Sequence, residues 1–177
     1  MRDAGTARRE RRACLSSYPS GMSPSRLLAL WRRLGGSAAG RWLFAQLIRL
    51  GVPYSGSIGA RVMAVAPGKS VVTLRDRRRV RNHLQSVHAV ALANLAELSS
   101  GLAMLAALDP GVRGIPVAIT IRYHRKARGL LTATGSASPP DVREPVTAIA
   151  HADIHDGRGE LVADADVTWQ LDTRRGA

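Results

Sequence analysis

The segment Val87–Leu108 limits this chain more than any other. Beyond His88 near its start, Asn94, Glu97, Ser99 and Ser100 are its only polar side chains. A helix apolar almost all round must be covered on most sides, and this one is longer than the usual globular helix. The flanking sequence supplies the cover. Ile115, Val117, Ile119, Ile121 and Tyr123 alternate with Pro116, Ala118, Thr120, Arg122 and His124, a period of two that predicts a strand. Gly129–Gly135 alternates more weakly, and Ser138-Pro139-Pro140 makes a break. Glu144–His155 turns at Asp156-Gly157 into Glu160–Leu171, where Leu161, Ala163, Ala165, Val167, Trp169 and Leu171 share one face. Upstream, Ser57–Val65 turns at Pro67-Gly68 and returns as Ser70–Arg75, ahead of a basic loop at Arg77–Arg81.

Two short helices precede these strands. Ser25 is a good N-cap for Arg26–Leu34, which Gly35-Gly36 ends, and Ser37 starts a second helix that runs to Leu50 and stops at Gly51 and Pro53. The second carries Trp42, Leu43, Leu47 and Leu50. These read either as packing against the main domain, which has a sheet to cover, or as a weak contact with a membrane surface. The expected organisation is a flexible basic tail over 1–25, helices over 26–54, one domain over 55–172 and a disordered end at 173–177. Met22 is an alternative start of translation. The fold class expected is α+β, an antiparallel sheet curled round one long helix.

Composition narrows the partners. A hydrophobic fraction of 45% is ample for one core, whereas 4% aromatics leaves few platforms for stacking single-stranded nucleic acid. The net charge of +13 favours polyanions, but Lys69 and Lys126 are the only lysines, and an arginine bias also follows from a GC-rich genome. Nucleic acid is therefore not the expected partner. Cys14 is the single cysteine, which forbids an internal disulfide; with no Cys–His zinc spacing, a reducing cytoplasm is expected. The best candidate for a membrane span, Leu27–Val52, is interrupted by Arg32, Arg33, Arg41 and Arg49, and no apolar run follows the basic start as in a signal peptide.

Chemistry concentrates where the long helix begins, in Asn82-His83-Leu84-Gln85-Ser86-Val87-His88-Ala89. Free N–H groups and the positive end of the helix dipole favour an oxyanion there, and a small residue such as Ala89 lets a carbonyl approach. Glu97 is the one acid of the helix. Burial would raise its pKa, so it is either paired or functional. Eight residues separate it from Ala89, about 12 Å along the axis, too far for both to touch one carbonyl. Two copies with antiparallel helices would bring them together, which predicts a shared site and an inactive monomer. Each residue also has a structural reading: a hydrogen bond in a buried dimer contact for Glu97, a helix cap for His88, a capped turn for Asn82. His151, Asp153 and His155 share a strand face, but no fourth ligand is evident and no metal is expected.

The spacing Asn82-(x)5-His88-Ala89-(x)7-Glu97 resembles the signature of hotdog-fold thioesterases of the PaaI and acyl-CoA thioesterase 13 type. The stretch Val87–Ala89 through Leu95–Glu97 and Gly101 is most similar to the DUF4442 branch, also found in YiiD proteins. The resemblance covers roughly residues 40 to 172. It implies a hotdog fold and hydrolysis of an acyl-CoA or acyl-carrier-protein thioester by a homodimer or dimer of dimers. Glu97 would be the general base, or less readily a nucleophile; Asn82 would orient the water or the carboxylate. The Ala89 N–H would hold the oxyanion, and His88 would stand near the carbonyl. No separate cofactor is implied, and Arg122, Arg125, Lys126 and Arg128 would grip the phosphates of coenzyme A. The chain departs from the pattern in having Ala89 where the family has glycine, and Pro116 near where some relatives carry Ser or Thr. These departures leave open a hotdog protein that binds an acyl group without hydrolysing it.

Overall fold

The computed structural model describes residues 24–173, so nearly all of the expected tail and C-terminal end lies outside it. Three helices come first: α1 (Pro24–Leu34), α2 (Ala38–Gly51) and α3 (Pro53–Ser57). The hairpin β1 (Arg61–Ala66) and β2 (Lys69–Arg75) follows, then a 3-10 turn over Arg78–Val80 and the long helix α4 (Ala89–Ala107). Four strands complete the described residues: β3 (Val112–Tyr123), β4 (Leu130–Ala137), β5 (Val146–His155) and β6 (Leu161–Thr173). They form one six-stranded sheet of order β1-β2-β4-β5-β6-β3, every neighbouring pair antiparallel.

The sheet curls about α4, as the polarity of that helix required. Leu95, Ala96, Ala103 and Met104 are fully buried. By length and composition α4 could cross a membrane, but most of it is enclosed by the chain's own sheet and helices. β4 presses against the helix at Gly135, where a Cβ would stand 2.3 Å from the Ser99 carbonyl oxygen. Opposite it in β2, the Ser70 hydroxyl donates to that same oxygen at 2.7 Å.

The N-terminal helices cover one end. α1 buries Leu27 and Trp31; α2, capped by Ser37, buries Phe44 and Ile48, and the Trp31 and Phe44 rings meet edge to face at 5.0 Å. Trp42, Leu43, Leu47 and Leu50 are not part of this packing and remain exposed. Other differences from expectation are local. The first strand begins at Arg61 rather than Ser57, because Pro53 opens the further helix α3 instead of merely stopping α2. The β5–β6 turn forms at Asp156-Gly157 as expected, with Gly159 left-handed and Asp156 Oδ1 accepting from the Arg158 and Glu160 N–H groups.

Candidate active site

The helix start is fastened from two sides. The Val87 N–H donates to Ala127 and the His88 N–H to Val80, which pins the loop before α4 between β4's approach and the 3-10 turn. His88 is the N-cap, and its Nδ1 accepts from the Val90 N–H at 3.1 Å. The Ala91 and Leu92 N–H groups reach the His88 carbonyl. Ala89 is therefore the first helical residue, with a backbone N–H that no intrahelical carbonyl takes. The Tyr123 hydroxyl donates to its carbonyl at 3.1 Å.

Asn82 closes the preceding loop. Its Oδ1 accepts from the Leu84 N–H, the Ser86 N–H and the Ser86 hydroxyl at 3.0–3.2 Å. Its amide oxygen is thus occupied, leaving Nδ2 for any ligand. Asn82 and Ala89 line a cleft of about 320 Å³ together with Tyr123, Arg125 and Lys126. His88 belongs to a second cleft of about 360 Å³, on the other side of the helix start, with Tyr54, Arg79, Val90 and Asn94.

Glu97 lines neither cleft, standing just over two turns further along the helix. It is half-buried, and its Oε2 accepts from the Ser55 hydroxyl at 3.3 Å. Burial pushes its carboxyl above the usual range, and the Ser55 hydrogen bond opposes that only in part. Gly101, one turn on, lets the Trp169 ring pack close: a Cβ there would lie 3.3 Å from that ring and 3.9 Å from Glu97 Oε1. One turn before, Asn94 donates through Nδ2 to the Tyr54 carbonyl at 3.0 Å, while its buried Oδ1 has no partner. Sequence reasoning missed α3, and with it Ser55 as the partner of the carboxylate and the Asn94 hydrogen bond that ties α4 to Tyr54. Pro53, a favoured first helical residue, was the available signal.

The basic residues separate. Arg125 and Lys126 flank the first cleft, with Arg125 also paired to Glu160 at 2.7 Å, and Arg128 reaches the Leu84 carbonyl beside it. Arg122 faces outward from the sheet and pairs with Asp164 at 2.5 Å and Asp166 at 3.1 Å. His151 joins the same outer face between Asp166 and Asp153. Among the described residues no three His, Cys, Asp or Glu side chains are grouped as a metal ion would need.

Solved structures share this architecture. The crystal structure of APC5556 is 28% identical, with a TM-score of 0.72 over 83% of this chain and 97% of that one. PA5026 of Pseudomonas aeruginosa, named a protein of unknown function and probable thioesterase, is 23% identical, with a TM-score of 0.67 over 75% of this chain and 95% of that one. The thioesterase HI1161 of Haemophilus influenzae is 18% identical, with a TM-score of 0.65 over 79% and 95%. No curated protein matches the sequence. The likeness establishes the hotdog fold, which the thioesterase-named structures share. Residues 40–171 match the domain of unknown function DUF4442, a span that runs from the second helix into the last strand and holds every candidate residue above, so the chain belongs to the DUF4442 family.

Proposed function

We propose that the chain hydrolyses an acyl thioester, carried on coenzyme A or an acyl-carrier protein, at a site built from two copies of itself. The observation that carries this is Glu97: the sole acid of the core helix, half-buried, with its proton affinity raised and a single side-chain hydrogen bond from Ser55. A carboxyl in that setting suits general-base work. The thioesterase-named structures of the same fold support the reaction class. The outer edge of β3 supports the second copy. No strand covers it among the described residues, and Val117–Thr120 are exposed on both faces of the strand. A long apolar edge invites pairing. Joining two β3 edges antiparallel extends the sheet and sets the two α4 helices antiparallel, carrying Glu97 of one chain towards Ala89 of the other.

Glu97 then takes a proton from water as the water oxygen adds to the thioester carbonyl carbon. The Ala89 N–H, at the positive end of the helix dipole, holds the oxyanion. Collapse restores the carbonyl and breaks the C–S bond, and the leaving thiolate takes the proton from Glu97. Asn82 Nδ2 orients the water, and His88, which faces the other cleft, fixes the helix start by capping the Val90 N–H. Arg125 and Lys126, with Arg128 beside them, meet the phosphates of coenzyme A, which enters as part of the substrate. Arg122 has no part in this reading, because it lies outside the cleft, held by Asp164 and Asp166 on the outer face of the sheet. The single cysteine suits a cytoplasmic setting.

The methyl of Ala89 and the missing hydroxyl at Pro116 favour a second reading, acyl binding without turnover. A thiol-release assay on a panel of acyl-CoAs decides. Wild type is expected to turn over, and Glu97→Gln to lose about 10²–10⁴-fold. Equal turnover by both would refute the mechanism, and thermal stabilisation by acyl-CoA without thiol release would establish the second reading.

A further inference from the structure

The exposed side of α2 is an interaction surface that the proposed chemistry does not use. Trp42 is 62% exposed, Leu50 77% and Tyr54 67%, and Leu43, Leu47 and Val52 are exposed with them. On a helix, Trp42, Leu43, Leu47 and Leu50 fall within one arc, opposite the buried Phe44 and Ile48. The arc continues through Val52 to Tyr54 on α3, which lines the cleft containing His88 and Asn94. A contiguous apolar band of this kind on an otherwise charged protein marks a contact surface.

We propose that this band docks on an anionic phospholipid surface. Charge selects that occupant. No Asp or Glu stands between Glu10 and Asp76, whereas Arg26, Arg32, Arg33 and Arg49 on α1 and α2 are exposed. Arg49 borders the arc next to Trp42 on the helical wheel, and its side chain lies against Gly56 of α3. Apolar and aromatic side chains on one face, bordered by arginines whose stems can bend towards headgroups, is the composition of an interfacial helix. A second copy of the chain fits less well. A two-fold contact would set this patch against itself and bring its arginines together with no acid from the same stretch to neutralise them. The placement also gives the cleft a lipid-side mouth at Tyr54, through which an acyl chain partitioned in a bilayer would reach the helix start. Docking itself does not depend on the hydrolytic reading.

The test uses the full chain with vesicles of phosphatidylglycerol mixed into phosphatidylcholine, and with phosphatidylcholine alone. Trp42 reports directly, because Trp31 and Trp169 are only 9% and 3% exposed. Expected results are cosedimentation with the anionic vesicles, a blue shift of tryptophan emission, and release at roughly 0.5 M salt. The pair Trp42→Ala with Leu50→Ala is expected to weaken vesicle binding by about tenfold or more at unchanged melting temperature and oligomeric state. Three results would overturn the proposal: no binding to anionic vesicles, binding with no emission shift that the double variant leaves intact, or a double variant that changes oligomeric state instead of vesicle binding.

Discussion

At the scale of single residues, the candidate base stands against the stability of the fold. Because burial raises the Glu97 pKa, the protonated form is the one the folded chain favours. Its contribution to stability is complete below the ordinary carboxyl value of 4.5 and is lost as pH rises through the raised folded value. Glu97→Gln removes the charge that folding disfavours. The variant is therefore expected to melt like wild type at pH 4 and above it at pH 8, while losing activity; calorimetry at the two pH values checks this. A variant less stable at pH 8 would mean that the carboxylate is paired rather than strained. His151 on the outer sheet face is instead favoured in its charged form. Its hydrogen bond to Asp166 raises its pKa from 6.5, so its contribution is present below 6.5 and fades as pH climbs through the folded value. At the acid end the contribution of Asp166 disappears as pH falls through its lowered value. His151→Gln should cost about 0.5 kcal/mol near pH 6, a small figure because the pair is more than a third exposed, and almost nothing at pH 9 in urea melts.

At the scale of elements, β4 and α4 meet at a joint that leaves no room for a side chain. Gly135 lies opposite Ser70 in β2 and Ala152 in β5, and the Ser99 carbonyl occupies the space where its Cβ would be. That neighbour is helix backbone, so Gly135→Ala must push α4 off the sheet and loosen the Ser70 hydrogen bond. The expected cost is about 1–3 kcal/mol, read as a lower midpoint with unchanged slope in denaturant melts. The wrap itself was legible, because the all-round apolarity of Val87–Leu108 and the alternation in β6 are local patterns that burial obeys: Ala163, Ala165, Val167, Trp169 and Leu171 are all buried. The alternation of β3 was legible as a strand but not as a face. A bulge between Pro116 and Ala118 shifts its register, and an edge strand has one side with no neighbour among the described residues. Ser55 and Asn94 were illegible for a different reason. Their importance lies in contacts 40 or so residues apart in sequence, which no local period encodes. Asn82 was legible as a polar residue before a helix, but that its oxygen is taken up by its own loop follows only from the fold.

At the scale of the whole molecule, the question is whether one chain can hold a complete site, and the helix start provides a selective way to ask. Ala89 is the first residue of α4, and the backbone before it, at His88 φ −64° and ψ 141°, is the extended conformation that a following proline demands. Proline is favoured at a first helical position because no helical hydrogen bond is lost there. Ala89→Pro thus deletes the proposed oxyanion donor while leaving the helix intact, and should lower turnover by about 10²–10³-fold with little change in melting temperature. Glu97→Gln removes the base from the same reaction. If each site takes its base from one chain and its N–H from the other, a dimer of one Ala89→Pro chain and one Glu97→Gln chain has one site intact and one doubly broken. Refolding equal amounts of the two variants together should then recover about a quarter of wild-type activity, since half the dimers are mixed and each has one working site. Ile119→Lys, placed on the exposed β3 edge, is expected to yield a folded monomer in light scattering and to abolish the recovery. Mixed dimers without activity would mean that donor and base act within one chain, and a separation of about 12 Å along the helix axis would then rule out a direct role for one of them.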